Sequence, residues 1–192
     1  MSKINTFVKN YIDKIYSSVL GIDFKNLDKA AKQILSSIKK NNKIYVCGNG
    51  GSAAIANHYV VDFLKFFKEN SNYKPKIISL SNNVETITAI SNDLSYDKVF
   101  SYQAENLCNK NDLIIIVSSS GNSKNIVELL KFAKRKKIKT IGFSGFKGGY
   151  LKRHSNISIH INAQNYGISE DSHHILMHAL LQYLIKYFGK NN

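Results

Sequence analysis

The sequence predicts an α/β protein, a three-layer α/β/α sandwich built on one five-stranded parallel sheet. Two observations support this prediction. Five short apolar segments rich in Ile and Val recur along the chain, and segments with the 3.6-residue periodicity of helices separate them. Apolar strands that alternate with helices are typical of a parallel sheet covered on both faces. No linker, low-complexity tract or repeat interrupts the sequence, so we expect a single domain over residues 1–192.

The predicted elements follow one another in a regular order. The strands are expected at Lys43–Cys47, Lys76–Leu80, Leu113–Val117, Thr140–Phe143 and Ile157–Ile161. The helices are expected at about Lys25–Lys40, Ala53–Lys68, Lys98–Leu107, Asn125–Lys136 and Glu170–Phe188, with a further helix before Gly21. Ligands of such sheets bind outside the carboxyl ends of the strands, so the loops that follow the strands are where function is expected.

The composition excludes two classes of protein. A hydrophobic fraction of 43% with evenly spread aromatic residues excludes a disordered chain. The longest uninterrupted apolar run, Leu113–Val117, is far shorter than the roughly 20 residues of a membrane-spanning helix. The first residues contain no apolar signal segment, and Cys47 and Cys108 show no disulfide or metal-binding spacing. We therefore expect a soluble cytoplasmic protein with no membrane partner.

The charge is strongly positive, with a formal net charge of +14. All but two of the 27 basic residues are lysines, and the two arginines are Arg135 and Arg153. Proteins that read bases or phosphates in bidentate fashion depend on arginine, so the composition disfavours a nucleic-acid partner. A solvated lysine-rich surface explains the charge, and it is compatible with steering anionic small molecules towards a site.

The first loop with unusual chemistry is Gly48–Ser52, which follows the first strand and opens a helix. Glycines let the backbone approach a ligand closely, and the helix N-terminus offers unpaired N–H groups to an anion. Gly48, Gly50 and Ala53 also fit a permissive dinucleotide fingerprint. That fingerprint requires a carboxylate after the second strand, where this chain has Ser81-Asn82-Asn83. We therefore expect a phosphate-binding loop and no nucleotide cofactor.

The second loop, Ser118–Ser123, follows the most apolar strand and precedes another helix. Its four hydroxyl groups and several backbone N–H groups meet the positive end of a helix dipole, which suits a phosphate monoester. The alternative is an ordinary helix cap, since Ser and Asn are common capping residues. The loop lacks the Gly-Lys-[Ser/Thr] ending of a P-loop, so a P-loop kinase is not indicated.

Histidines and carboxylates form stripes on two predicted helices. His58 and Asp62 are four residues apart, and Glu170, His174 and His178 repeat the same spacing on the last helix. Two such stripes can converge on one divalent metal, and nitrogen and oxygen ligands suit zinc or a similar ion. The alternative is that these histidines are structural.

Taken together, the sequence resembles the sugar isomerase (SIS) domain family, and within it the phosphoheptose isomerases. The matching blocks stand in the same order over nearly the whole chain. They are Cys47–Ser52 followed by His58, Thr88–Asp93 continuing to Val99–Gln103, Val117–Ser123, and Gly142–Gly145 with Gly148 and Gly149.

The resemblance implies a flavodoxin-like SIS fold and a homotetramer whose active sites lie between subunits. The N-terminal helices, about residues 1–40, would pack at that interface. The implied reaction converts sedoheptulose 7-phosphate to D-glycero-D-manno-heptose 7-phosphate, an entry step to the surface heptose of lipopolysaccharide or capsule. An aldose–ketose isomerase of this kind transfers protons through an enediol, and its partner is a small sugar phosphate.

The resemblance also implies roles for individual residues. Phosphate or sugar groups would be held by Asn49, Gly50, Gly51, Ser52, Asn92, Asp93, Ser118, Ser119, Ser120, Ser123 and Glu170. One zinc ion per subunit would be held by His58, Asp62, Glu170 and His178. Asp62 or Glu170 would act as the base, and His178 as the acid.

Three positions depart from the family pattern. Asp62 stands where the family has glutamate, Glu170 stands where it has glutamine, and Gly167 replaces an acidic residue. These departures leave two other functions open. One is an SIS isomerase for another sugar phosphate, and the other is a non-catalytic SIS protein that senses a sugar phosphate or serves DNA replication or regulation.

Overall fold

The computed structural model describes residues 2–190 and contains the predicted parallel sheet. The strands are β1 (Lys43–Cys47), β2 (Lys76–Ser79), β3 (Leu113–Ser118), β4 (Lys139–Ser144) and β5 (Ile157–His160). They pair in parallel in the order β2-β1-β3-β4-β5. The predicted α/β fold and the positions of all five strands are therefore confirmed.

Helices cover both faces of the sheet. They are α1 (Lys3–Leu20), α2 (Phe24–Lys39), α3 (Gly51–Val61), α4 (Val84–Asp93), α5 (Val99–Leu107), α6 (Lys124–Lys136), α7 (Gly149–His154) and α8 (Tyr166–Phe188). One core layer joins α2, α3 and α8 to side chains such as Ile44 and Ile115. The other joins α5 and α6 to the alternate residues Tyr45 and Ile114. Strand residues point alternately to the two faces, so both layers are apolar and the central strand β3 is buried throughout.

The structure adds elements that the periodicity did not predict. Helices α4 and α7 are extra, and α8 begins at Tyr166, four residues before the predicted start. The starts of α4 and α8 are set by capping asparagines: Asn83 accepts a hydrogen bond from the Thr86 amide at 2.6 Å, and Asn165 accepts one from the Ile168 amide at 3.0 Å. The predicted helix Ala53–Lys68 is α3 followed by a π-helical segment, Asp62–Phe67.

The sheet order places the two loops with unusual chemistry side by side. From β1 the chain crosses to β2 on one side, and it later returns to β3 on the other side of β1. The loops after β1 and β3 therefore diverge at the point where the strand order reverses, which leaves a crevice at the carboxyl ends of these strands. Between residues 2 and 190, no helix has the length and apolar character needed to cross a membrane.

Candidate functional site

A small cavity of about 110 Å³ lies at the carboxyl ends of β1 and β3. We call it the serine cavity. Its lining residues are Asn49, Ser52, Ser118, Ser119, Ser120, Ser123, Tyr166 and Glu170. Both predicted loops thus contribute to one cavity, and α8 closes it with Tyr166 and Glu170.

Two helices begin at this cavity without the side-chain N-cap that α1, α2, α4 and α8 have. The N-cap residue of α3 is Gly50, which has no side chain, and that of α6 is Ser123, whose hydroxyl group forms no capping hydrogen bond within residues 2–190. Gly50 has φ +54°, a backbone conformation that favours glycine. The hydroxyl group of Ser119 is buried and has no hydrogen-bond partner in the described chain. Free amides and a free buried hydroxyl together form a site that suits an anion.

Asn49 is held in place by a second asparagine that the sequence analysis missed. Asn49 and Asn125 exchange side-chain amide hydrogen bonds of 3.0 and 2.9 Å, and the Tyr96 hydroxyl donates to Oδ1 of the Asn49 side chain at 2.9 Å. Asn125 is 1% exposed and lies in the first turn of α6. This pair fixes the two loops relative to each other. A single asparagine in a helical pattern gives no sequence signal for such a contact.

A second cluster, the histidine group, joins α3 to α8. It consists of His58, Asp62, His174 and His178. The Nε2 atoms of His58 and His178 are 3.1 Å apart, and each faces one oxygen of Asp62, at 3.5 and 3.4 Å. The Asp62 side chain is 4% exposed, whereas nearly half of each of these two histidine side chains is exposed. The predicted convergence of the two stripes is therefore seen for His58, Asp62 and His178.

The histidine group has the properties of a metal site. One ring nitrogen each from His58, His174 and His178 lie within 4.8 Å of one another. A tetrahedral zinc ion with ligand distances of about 2.0–2.2 Å places its ligand atoms roughly 3.3–3.6 Å apart. The Nε2 atoms of His58 and His178 are 3.1 Å apart, and Asp62 presents a different oxygen to each of them, at 3.5 and 3.4 Å. In the described chain, Asp62 Oδ2 and His174 Nε2 are buried without a hydrogen-bond partner. A divalent cation would satisfy both atoms, so the residues fit a metal.

Glu170 lies outside this group. Its carboxyl group packs against Gly51 so closely that a Cβ atom there would come within 2.4 Å of Glu170 Oε2. Partial burial, and secondarily the neighbouring Asp171, raise the pKa of Glu170 above its usual value. Asp171 in turn accepts a 2.6 Å hydrogen bond from Tyr11 of α1. Glu170 therefore stands at the serine cavity, one helical turn before His174.

Two of the predicted substrate-binding residues lie elsewhere. Asn92 and Asp93 are exposed at the end of α4, where the Asn92 amide donates to Asp93 at 2.9 Å. Neither lines the serine cavity. Tyr96, which follows them, contacts Asn49 instead. Gly50 and Gly51, the N-cap and the first residue of α3, are not among the residues that line the serine cavity either.

Comparisons with known proteins identify the family of the chain. A family model described as "SIS domain" matches residues 9–145. A probable phosphoheptose isomerase of Thermoplasma acidophilum is 38% identical over 90% of this chain and 94% of its own length. A phosphoheptose isomerase of Campylobacter concisus is 31% identical over 93% and 95%. A solved phosphoheptose isomerase structure from Francisella tularensis has a TM-score of 0.87 at 27% identity, covering 97% of this chain and all of that one.

Proposed function

Because the chain belongs to the SIS domain family, we propose that it is a phosphoheptose isomerase, which converts sedoheptulose 7-phosphate to D-glycero-D-manno-heptose 7-phosphate. The observation that carries this proposal is the arrangement of α8, which lines the serine cavity with Glu170 and the histidine group with His174 and His178. Helix α8 therefore brings a cavity that suits an anion together with a group that suits a metal, an arrangement that fits a phosphorylated sugar.

The serine cavity is proposed to hold the phosphate. The free amides at the starts of α3 and α6 and the buried Ser119 hydroxyl supply donors to its oxygens. Binding the distant phosphate fixes the sugar, so its reacting end is positioned before any proton moves. The lysine-rich surface favours approach of the anionic substrate, because the whole chain carries a net charge of +14.

The histidine group is proposed to hold zinc through His58, Asp62 and His178. When bound, the metal would polarise the substrate carbonyl as a Lewis acid. Asp62 is suited to a ligand role because it is buried between two imidazoles. The sequence analysis left Asp62 and Glu170 as alternative bases. Glu170 is favoured, because it lies one helical turn from His174, where α8 passes from the serine cavity to the histidine group, and its raised pKa makes the carboxylate a stronger base.

The proposed reaction moves one proton between two carbons. The Glu170 carboxylate removes a proton from C1 of the ketose, and its conjugate acid returns a proton to C2 to give the aldose. The hydroxyl group on C1 also loses its proton and the carbonyl oxygen on C2 gains one, and His178 is the candidate for the group that makes this transfer. Its Nε2 atom holds either a metal or a proton at one time, and either role makes His178 essential for turnover.

We also propose a homotetramer in the cytoplasm. Helix α1 has no buried residue, and it exposes a row of large apolar side chains that another subunit would cover: Ile4, Phe7, Val8, Ile12, Tyr16 and Leu20. The contact between Tyr11 and Asp171 ties this helix to the residue beside Glu170. Cys47 and Cys108 are both free thiols, which suits a reducing compartment.

The proposal is tested by an NMR time course on purified protein with sedoheptulose 7-phosphate, with added zinc and with a chelator. We expect a heptose anomeric signal that depends on the metal. A pentose phosphate and a hexose phosphate run in parallel, because Asp62 and Glu170 depart from the family pattern and favour a different sugar as the second candidate. Turnover of the pentose or hexose phosphate, without turnover of sedoheptulose 7-phosphate, would show that this other sugar phosphate is the substrate. Phosphate binding without any turnover would indicate a sensor.

A further inference from the structure

His174 occupies a place in the histidine group that the family resemblance does not assign. It lies on the same stripe of α8 as Glu170 and His178, four residues from each. Its ring packs at 4.8 Å from the His58 ring and at 4.4 Å from the His178 ring, measured between centroids. The ligand set implied by the resemblance uses Glu170 in its place.

The Nε2 atom of His174 has an unmet bonding requirement. It is buried, and no residue between 2 and 190 forms a hydrogen bond with it. Buried polar atoms of side chains nearly always have a partner, so an orphan of this kind calls for a ligand. Asp62 Oδ2, the other orphan of the group, faces His178 Nε2 at 3.4 Å. Two potential ligand atoms that lack a hydrogen-bond partner among the described residues therefore occur in one cluster.

Glu170 does not share this environment. Its carboxyl group lies over Gly51 and lines the serine cavity, one turn of α8 away from His174. Four residues of α-helix correspond to a rise of about 6 Å, so the carboxyl group and the His174 ring project from successive turns. The carboxylate that would complete the ligand set by resemblance thus lies one helical turn from the imidazoles, where α8 passes from the histidine group to the serine cavity.

We propose that His174, and not Glu170, completes the metal site, so that His58, Asp62, His174 and His178 are the four ligands. Three imidazoles and one carboxylate favour zinc and similar transition ions over magnesium or calcium. Glu170 is then free to move protons. This inference rests on the proposed function for the role of Glu170, whereas the ligand set itself is independent of any substrate.

The test measures metal affinity in the absence of sugar. Wild type, His174→Gln, Glu170→Gln and a control, His154→Gln on α7, are stripped with chelator and titrated with zinc against a chromophoric competitor. We expect His174→Gln to weaken zinc binding by about 100-fold, and Glu170→Gln and His154→Gln to change it by less than about threefold. Loss of zinc affinity in Glu170→Gln with retention in His174→Gln would overturn the proposal, and so would equal affinity in all four proteins.

A second variant at the same position keeps the ligand assignment testable if His174→Gln misfolds. In His174→Cys, a thiolate replaces the imidazole at the same position. With Co²⁺ it should give an intense near-ultraviolet charge-transfer band from thiolate to cobalt, while Glu170→Cys should not. The band in Glu170→Cys alone would contradict the assignment. Neither measurement uses sugar phosphate, so both remain interpretable even if the protein does not isomerise sedoheptulose 7-phosphate. Conversely, wild-type turnover tests the isomerase proposal whichever residues bind the metal.

Discussion

The serine cavity and the histidine group are built from different parts of the fold. The cavity is made of loops and helix starts, and backbone amides with hydroxyl groups provide its chemistry. The histidine group is made of side chains from the last turn of α3, from the π-helical segment that follows it, and from α8. Loop amides suit an anion that has to be held, whereas side chains on rigid helices suit a metal and a reaction that need fixed geometry. Glu170 belongs to the helix that serves both.

The largest expected effect comes from the histidine group. Replacing His178 by Gln should lower kcat by about 1,000-fold, since it removes a metal ligand or an acid from the reacting end. The affinity for inorganic phosphate should stay within a factor of about three, because His178 does not line the serine cavity. Turnover and phosphate titration check both statements, and circular dichroism checks the fold. Wild-type turnover in His178→Gln would show that His178 is neither a metal ligand nor an acid in the reaction.

The complementary change is made in the serine cavity. Ser119→Ala should raise KM by about 10- to 100-fold, the cost of one hydrogen bond to a charged group, and should leave the zinc content unchanged. Ser158→Ala is the matched control, because the Ser158 hydroxyl is also buried without a partner among the described residues but does not line the cavity. Equal KM values for the two variants would show that the cavity does not hold the phosphate.

Gly51→Ala tests the link between the two regions. The added Cβ would stand 2.4 Å from Glu170 Oε2, so the carboxyl group has to move. We expect kcat to fall by about 10-fold, because a displaced base loses its alignment, while zinc affinity stays unchanged. Gly21→Ala at the end of α1 serves as the control. A fall in zinc affinity in Gly51→Ala would place Glu170 among the metal ligands.

The smallest effect concerns a histidine that belongs to neither region. His173 is fully buried against Phe143, and burial lowers its pKa to about 4, with His160 adding to the shift. The unfolded chain binds a proton at this residue below pH 6.5 and the folded chain does not, so stability should fall as the pH drops from 6.5 towards 4. The expected loss between pH 7.5 and 5 is about 2 kcal/mol.

Urea unfolding at the two pH values, with chelator present, measures this loss. The variant His173→Asn removes the titrating group, so its free energy of unfolding should change less with pH than that of the wild type. The same pH dependence in both proteins would show that His173 titrates normally.

The sequence predicted the sheet and the two loops because buried strands are apolar runs and glycine-serine loops are distinctive. From the spacing it predicted that the two stripes can converge, and the structure brings His58, Asp62 and His178 together. It could not separate Glu170 from His174, because both lie on one stripe of α8 and only the packing of α3 against α8 decides which side chain reaches His58. Asn125 gave no signal, since its role depends on Asn49 across the sheet edge.

The claim that one carboxylate of α8 acts between the two regions is tested most directly by isomerisation in D₂O. Wild type and Glu170→Gln, both loaded with zinc, are followed by NMR with sedoheptulose 7-phosphate. We expect the wild-type aldose to carry deuterium at C2, and Glu170→Gln to turn over at least about 100-fold more slowly with the same zinc content. Deuterium incorporation at the wild-type rate in Glu170→Gln would contradict the account.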